Sequence, residues 1–145
     1  MKSVNYALRK AYKASLNGLT ANSVAVPVYH NEAPESETSA AYVTFNEVSS
    51  NDISTKTTSD TNTAMQVQIH TWSDDGNAGK TADDIAGLVY AAILPTPNAV
   101  LNLSADGFQM VGITLGGDRA GNNVTLGRRA FVTRIITFNH NIFHQ

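Results

Sequence analysis

Ala64-Met65-Gln66-Val67-Gln68-Ile69-His70-Thr71-Trp72 is the stretch on which the fold turns. Met65, Val67, Ile69 and Thr71 alternate with Gln66, Gln68, His70 and Trp72. Successive side chains of a strand point to opposite faces, so this alternation sets one row on a core and the other toward water or a partner. One wet face points to an antiparallel sheet covered on one side, because doubly covered strands run continuously apolar.

Working outward, residues 73–79 read as a turn and residues 81–94 as a helix. Thr81 with Asp84 approximates a capping box, and Pro95 and Pro97 end the helix. Its buried stripe is Ile85, Leu88, Val89, Ala92 and Ile93. On the N-terminal side, residues 41–48 read as a strand carrying Tyr42, Val43 and Phe45. Residues 49–63 hold one apolar residue, Ile53, and form either a long mobile loop or a hairpin with wet faces. Residues 24–30 are a short strand interrupted by Pro27, hence an edge or a strand start. Residues 31–39 are a polar, acidic loop.

At the front, residues 3–17 predict a helix with a stripe of Val4, Leu8, Ala11, Tyr12, Ser15 and Leu16. Ser3 can cap its start, and Asn17-Gly18 can stop it, because Gly accepts the left-handed conformation of helix ends. Residues 108–115 and 129–138 predict the last two strands, joined by a glycine-rich hairpin connection over 116–127. The final strand is apolar on both faces except for Arg134, which predicts a central position or cover on both sides. The fold class is therefore α+β, a mainly antiparallel sheet with two helices packed on one face, in the order α-β-β-β-α-β-β.

The 145 residues match one domain, taken as residues 1–145. Only 15% are charged, and the 14 Asn and 15 Thr that replace charge favour turns and strands. With no cysteine, disulfides and thiolate metal sites are excluded. The first residues lack an apolar signal core, and no stretch nears the ~18 apolar residues of a membrane span, so a soluble protein is expected. The net charge of −2 is uneven: +4 over residues 1–30, −8 over 31–84 and +2 over 85–145. Ordinary surface variation accounts for this most simply. The sharper reading is complementary faces that dock between copies of one chain.

Few residues suggest chemistry. Asp74-Asp75-Gly76-Asn77-Ala78-Gly79-Lys80-Thr81 lies where a phosphate-binding loop would lie, between a strand and a helix. Asp74 replaces the first glycine of that pattern, and two carboxylates beside an anion pocket repel phosphate. A helix-capping turn is the simpler account. His140 and His144 stand four apart, a helical spacing for a shared metal, but follow a strand and lack a third ligand nearby. A tail that frays or docks on a partner is the simpler account. No nucleophile, base and acid stand in a catalytic order, so no catalytic, cofactor-binding or metal-binding residue is assigned. Arg119 with Arg128-Arg129 makes only a thin basic patch.

Taken in order, several stretches carry a family likeness. They are Tyr6-Ala7-Leu8-Arg9-Lys10-Ala11-Tyr12, Val28-Tyr29-His30-Asn31-Glu32-Ala33-Pro34, Ala41-Tyr42-Val43-Thr44-Phe45, and the strand of Met65 through Ser73. A helix over 82–94 and a C-terminal strand with Arg129 and Phe131 complete the series. Together they resemble the phage tail terminator or tail completion family, with relatives in prophages and gene transfer agents. Ala41 stands where that family often has a proline, and the polar segment 49–63 is longer than its pattern.

The resemblance implies a structural virion protein, not an enzyme, without cofactor. It implies a ring of identical subunits, a hexamer, that caps the tail tube and joins it to the head. Its partners would be the tail tube protein and the head–tail connector. DNA would pass through without specific binding, and no membrane would be involved. The protein would reside in the host cytoplasm during assembly and then at the head-proximal end of the tail. Alternatives are another connector or neck protein, a monomeric binding domain, or a nucleotide-binding protein built on Gly79-Lys80-Thr81. Expected interface or lumen residues are Asp52, Lys56 and Asp60 in the polar segment, facing the lumen or the tube, with Arg128 and Arg129.

Overall fold

The alternating stretch lies in the middle of a longer strand, and that strand organises the sheet. The computed structural model describes residues 3–145; Met1 and Lys2, with the Lys2 charge counted above, lie outside the described residues. The chain runs α1 (Asn5–Leu16), β1 (Thr20–Ala21), β2 (Val24–Ala25), β3 (Val28–His30), β4 (Ala41–Asp52), β5 (Asp60–Ser73), α2 (Ala78–Ile93), β6 (Phe108–Ala120), β7 (Val124–Leu126) and β8 (Arg129–His144). A single 3-10 turn, Ser104–Asp106, precedes β6. The helices fall where the α+β order puts them. The β1–β2 ribbon and β7 are additions to that order.

The main sheet has six strands, ordered β3-β4-β5-β8-β6, with β7 continuing the β6 side of β8. All its pairings are antiparallel except β3 with β4, which is parallel. In β5, Met65, Val67, Ile69 and Thr71 are buried while Gln66, Gln68, His70 and Trp72 are half-buried. Register carries this parity across the sheet: Val67 sits opposite Phe45 on one side and Ile136 on the other. Tyr12, Leu8 and Leu16 of α1 and Ile85, Val89 and Ile93 of α2 join those residues in one core. Both helices therefore lie on the same face.

Pro27 splits the strand expected over 24–30 into β2 and β3. Lacking a donor, it accepts from Val43 N through its carbonyl instead (2.9 Å), and β3 is an edge strand. The polar segment 49–63 is a hairpin: β4 runs to Asp52, β5 starts at Asp60, and Ser49–Asp52 pair with Thr61–Ala64. The glycine-rich connection is shorter than expected, because β6 continues through Gly116 and Gly117 to Ala120. At Gly116 an added Cβ would lie 2.8 Å from Asn139 Nδ2, and at Gly121 one would lie 2.9 Å from Thr133 Cβ, so both glycines allow close approach to β8.

Strand β8 is central, between β5 and β6, as its apolar run predicts. Three expectations need correction. Residues 139–144 are not a fraying tail, since β8 pairs with β5 and β6 out to Phe143 and His144. Helix α2 starts at Ala78, three residues before the expected position, so Thr81 lies inside the helix and caps nothing. Neither N-cap residue, Val4 of α1 or Asn77 of α2, makes a capping bond with its own side chain, and Ser3 only accepts from Asn5 N at 3.4 Å.

Candidate functional site

Alternation in β5 and β8 leaves the helix-free face of the sheet open. Gln66, Gln68, His70 and Trp72 lie there beside Thr137, Ile135, Thr133 and Phe131. Gln68 Nε2 donates to Gln66 Oε1 (3.0 Å), and His70 stacks on Tyr42 with ring centres 4.7 Å apart. Burial holds the His70 imidazole below its ordinary pKa, which keeps it neutral. The face is thus mostly amide, hydroxyl and aromatic. Its cations are Arg119 in β6 and, at one end, Arg129 stacked 3.8 Å above the Trp72 ring.

The two ends of the sheet differ in chemistry. At one end the β4–β5 hairpin brings Asp52, Lys56 and Asp60 together. The Ser54 side chain and backbone N–H, the latter 2.8 Å from Asp52 Oδ1, hold that carboxyl below the usual range. Thr58 Oγ1 donates to Asp60 Oδ2 (2.8 Å) and bonds Thr55, so the tip is a web of hydroxyls. At the other end lie Arg128 and Arg129 in the β7–β8 turn. Arg129 Nε donates to Asp74 Oδ1 (3.0 Å), while Arg128 is exposed without an ion pair among the described residues. Thirteen strand steps of β5 separate these ends, roughly 43 Å at about 3.3 Å per step. The expected site residues therefore form two groups, not one patch.

On the covered face, three polar networks hold the elements in place. Arg134 donates to both oxygens of Asp118 (2.8 and 2.7 Å) and also to Asp83 of α2. Tyr90 OH donates to Asp118 Oδ2 (2.6 Å), and burial followed by that bond pushes the phenol up to about 12. Arg134, Asp118 and Asp83 help wall a cleft of about 450 Å³ between α2 and the β6–β8 edge. Asp83, Asp118 and Arg134 are already paired with one another, which fits a clamp for α2 better than a ligand site, while Arg119 at the rim has no ion pair among the described residues. Glu47 receives Arg9 (3.0 Å) and His30 (3.1 Å); burial opposes its ionisation, but these and backbone bonds outweigh burial and hold its pKa down. Deepest is His140, whose Nδ1 must donate to the Thr63 carbonyl (2.9 Å), leaving Nε2 to accept from Tyr12 OH (2.7 Å).

This arrangement bears on the two tempting motifs. His140 and His144 share a strand face four residues apart, about 13 Å of extended chain, too far for one metal. Among the described residues, no group of three His, Cys, Asp or Glu could hold a metal ion. Gly79, Lys80 and Thr81 lie within the first turn of α2, not in a loop that could curl around a phosphate, and Lys80 pairs with Asp84 (3.1 Å).

Comparison with known proteins follows the same direction. The profile of a family described as "Tail completion protein gp17" matches residues 7–133. The chain belongs to that tail completion family. This family member is a structural component of a phage-type tail. Among solved structures, it shares its fold with a chain from a structure titled "Virion of native gene transfer agent (GTA) particle". That likeness has 18% identity and a TM-score of 0.59, covering 95% of this chain and 90% of the other. A second solved chain matches at 14% identity and TM-score 0.53, covering 93% and 94% of the two chains. None of the curated proteins matches. Among the described residues, no helix of this tail completion family member is long and apolar enough to cross a membrane.

Sequence reasoning missed Arg134 as an ion-pair hub. Asp83 lies 51 residues and Asp118 16 residues from it in the chain. Only the oddity of one charge in an apolar strand signalled it.

Proposed function

We propose that this chain is the subunit of a ring, a hexamer, that caps the tail tube and joins it to the head. The observation that carries this reading, beside family membership, is the unlike chemistry of the two sheet ends. A protein that joins two different structures needs two different ends. A ring also needs unlike patches on the two flanks of each subunit, so that a heterologous contact closes by rotation. The hydroxyl-rich hairpin of Asp52, Lys56 and Asp60 meets the tail tube. The end with Arg128 and Arg129 faces the head–tail connector. DNA passes without being held, since the mostly uncharged open face offers few of the cationic phosphate contacts that tight binding needs. The role is structural, without catalysis or cofactor. The ring assembles in the host cytoplasm and stays in the virion. The gene transfer agent particle in which a similarly folded chain is found supports the setting.

The test is to remove the hairpin tip, replacing residues 53–59 with Asn-Gly, a turn that keeps the strand register. Ring formation should persist, and joining to purified tail tubes should be lost. If joining survives, the hairpin is not the tube contact.

A further inference from the structure

The two lateral edges of the sheet carry unpaired groups that complement one another. One cross-strand row runs Tyr29, Thr44, Gln68, Ile135, Arg119. Arg119 ends it at the free edge of β6, exposed, with no ion pair among the described residues. Near the other end, the loop after β3 places Glu32 in a cleft lined by Thr44 and Gln68. Glu32 is likewise exposed and has no side-chain partner among the described residues. Both lie on the open face.

A second row runs Glu47, Met65, Phe138, Leu115. Leu115 is 48% exposed at the β6 edge, and the bulged Val48, next to Glu47, is 53% exposed where β4 itself forms the edge beyond β3. Val48 is the bulged residue and has no partner in the row, but it and Leu115 are large apolar side chains exposed at the two opposite edges, which a subunit seam would cover. The rows are three residues apart along β8, about 10 Å. A second copy placed side by side, β6 edge against the β3–β4 edge, brings Arg119 toward Glu32 on the open face and Leu115 toward Val48 where β4 extends beyond β3.

We propose that a second copy of this chain occupies the β6 edge, with Arg119 pairing the neighbour's Glu32 loop and Leu115 packing on the neighbour's Val48. This deepens the ring reading and rests on it. The contact is made by side chains, because the bulges at Val48, Val111 and Gly116 break the ladders that a continuous intersubunit sheet would need. The interface is heterologous, so it repeats around a ring.

The experiment is a charge swap, read by native mass spectrometry over a concentration series and on purified tail tubes. Arg119→Glu alone and Glu32→Arg alone should each weaken assembly about tenfold or more, since like charges then face each other. The double variant should recover most of the loss. Leu115→Asp should weaken assembly independently, while circular dichroism shows each variant folded. If wild type assembles and the charge variants assemble equally well, this interface is wrong and the ring reading stands. If wild type stays monomeric even on tubes, both fall.

Discussion

At the residue scale, His140 is the clearest case of a sequence signal given meaning only by the fold. Its spacing from His144 suggested a metal because that reading assumed a helix; in a strand the same spacing separates the rings. The imidazole is fully buried, and its surroundings are Tyr12 OH and the Thr63 carbonyl, with no carboxylate to favour a charge. Burial lowers its pKa from about 6.5 to about 4. The unfolded chain therefore takes up the proton first as pH falls. Full stability is present above about 6.5 and is lost between there and about 4, by roughly 3 kcal/mol. Urea unfolding at pH 7.5 and 4.5 should show this loss, and His140→Asn should reduce the difference while lowering stability at both. His70→Asn is the control, because burial shifts His70 in the same direction. An unchanged pH dependence in His140→Asn would place the titration elsewhere.

At the element scale, alternation, helix stripes and Pro27 were legible because they are local. Strand ends were not. β5 begins four residues before the alternating stretch and β8 runs six residues past the expected end, since pairing partners supply the hydrogen bonds that local pattern cannot forecast. The glycines near the β6 turn were read as part of one hairpin connection. Two of them are instead sites of close contact, and that distinction needs the neighbouring strand. Gly121→Val should destabilise the fold by about 1–3 kcal/mol, because the Thr133 Cβ in its path belongs to a rigid central strand. Gly127→Ala meets no neighbour, but its φ of +62° strains any side chain, so a smaller loss of about 1 kcal/mol is expected. Denaturant midpoints for the two variants check the order. A larger loss for Gly127→Ala would mean that turn strain outweighs crowding here.

At the scale of the whole molecule, the sequence carried the uneven charge but not its geometry. Block sums placed acid in the middle of the chain and base at both ends; folding then neutralised much of it internally, as with Arg134 and Asp118 or Arg9 and Glu47. What remains unpaired at the edges, Arg119 and Glu32 above all, is what a neighbour can read. The consequence is measurable in stability. If the assembled form is the one that resists unfolding, its apparent melting temperature rises with protein concentration by mass action. Added salt should reduce that rise, because exposed charge pairs at an interface rim are screened. Arg119→Glu should remove most of the concentration dependence and leave the pH midpoint set by His140 untouched, since the two residues act on different equilibria. Scanning calorimetry of wild type and Arg119→Glu at two concentrations and two salt levels separates them. A melting temperature independent of concentration in wild type would mean that the free subunit is stable alone. The ring would then have to be nucleated by the tail tube, and the hairpin deletion should abolish assembly as well as joining.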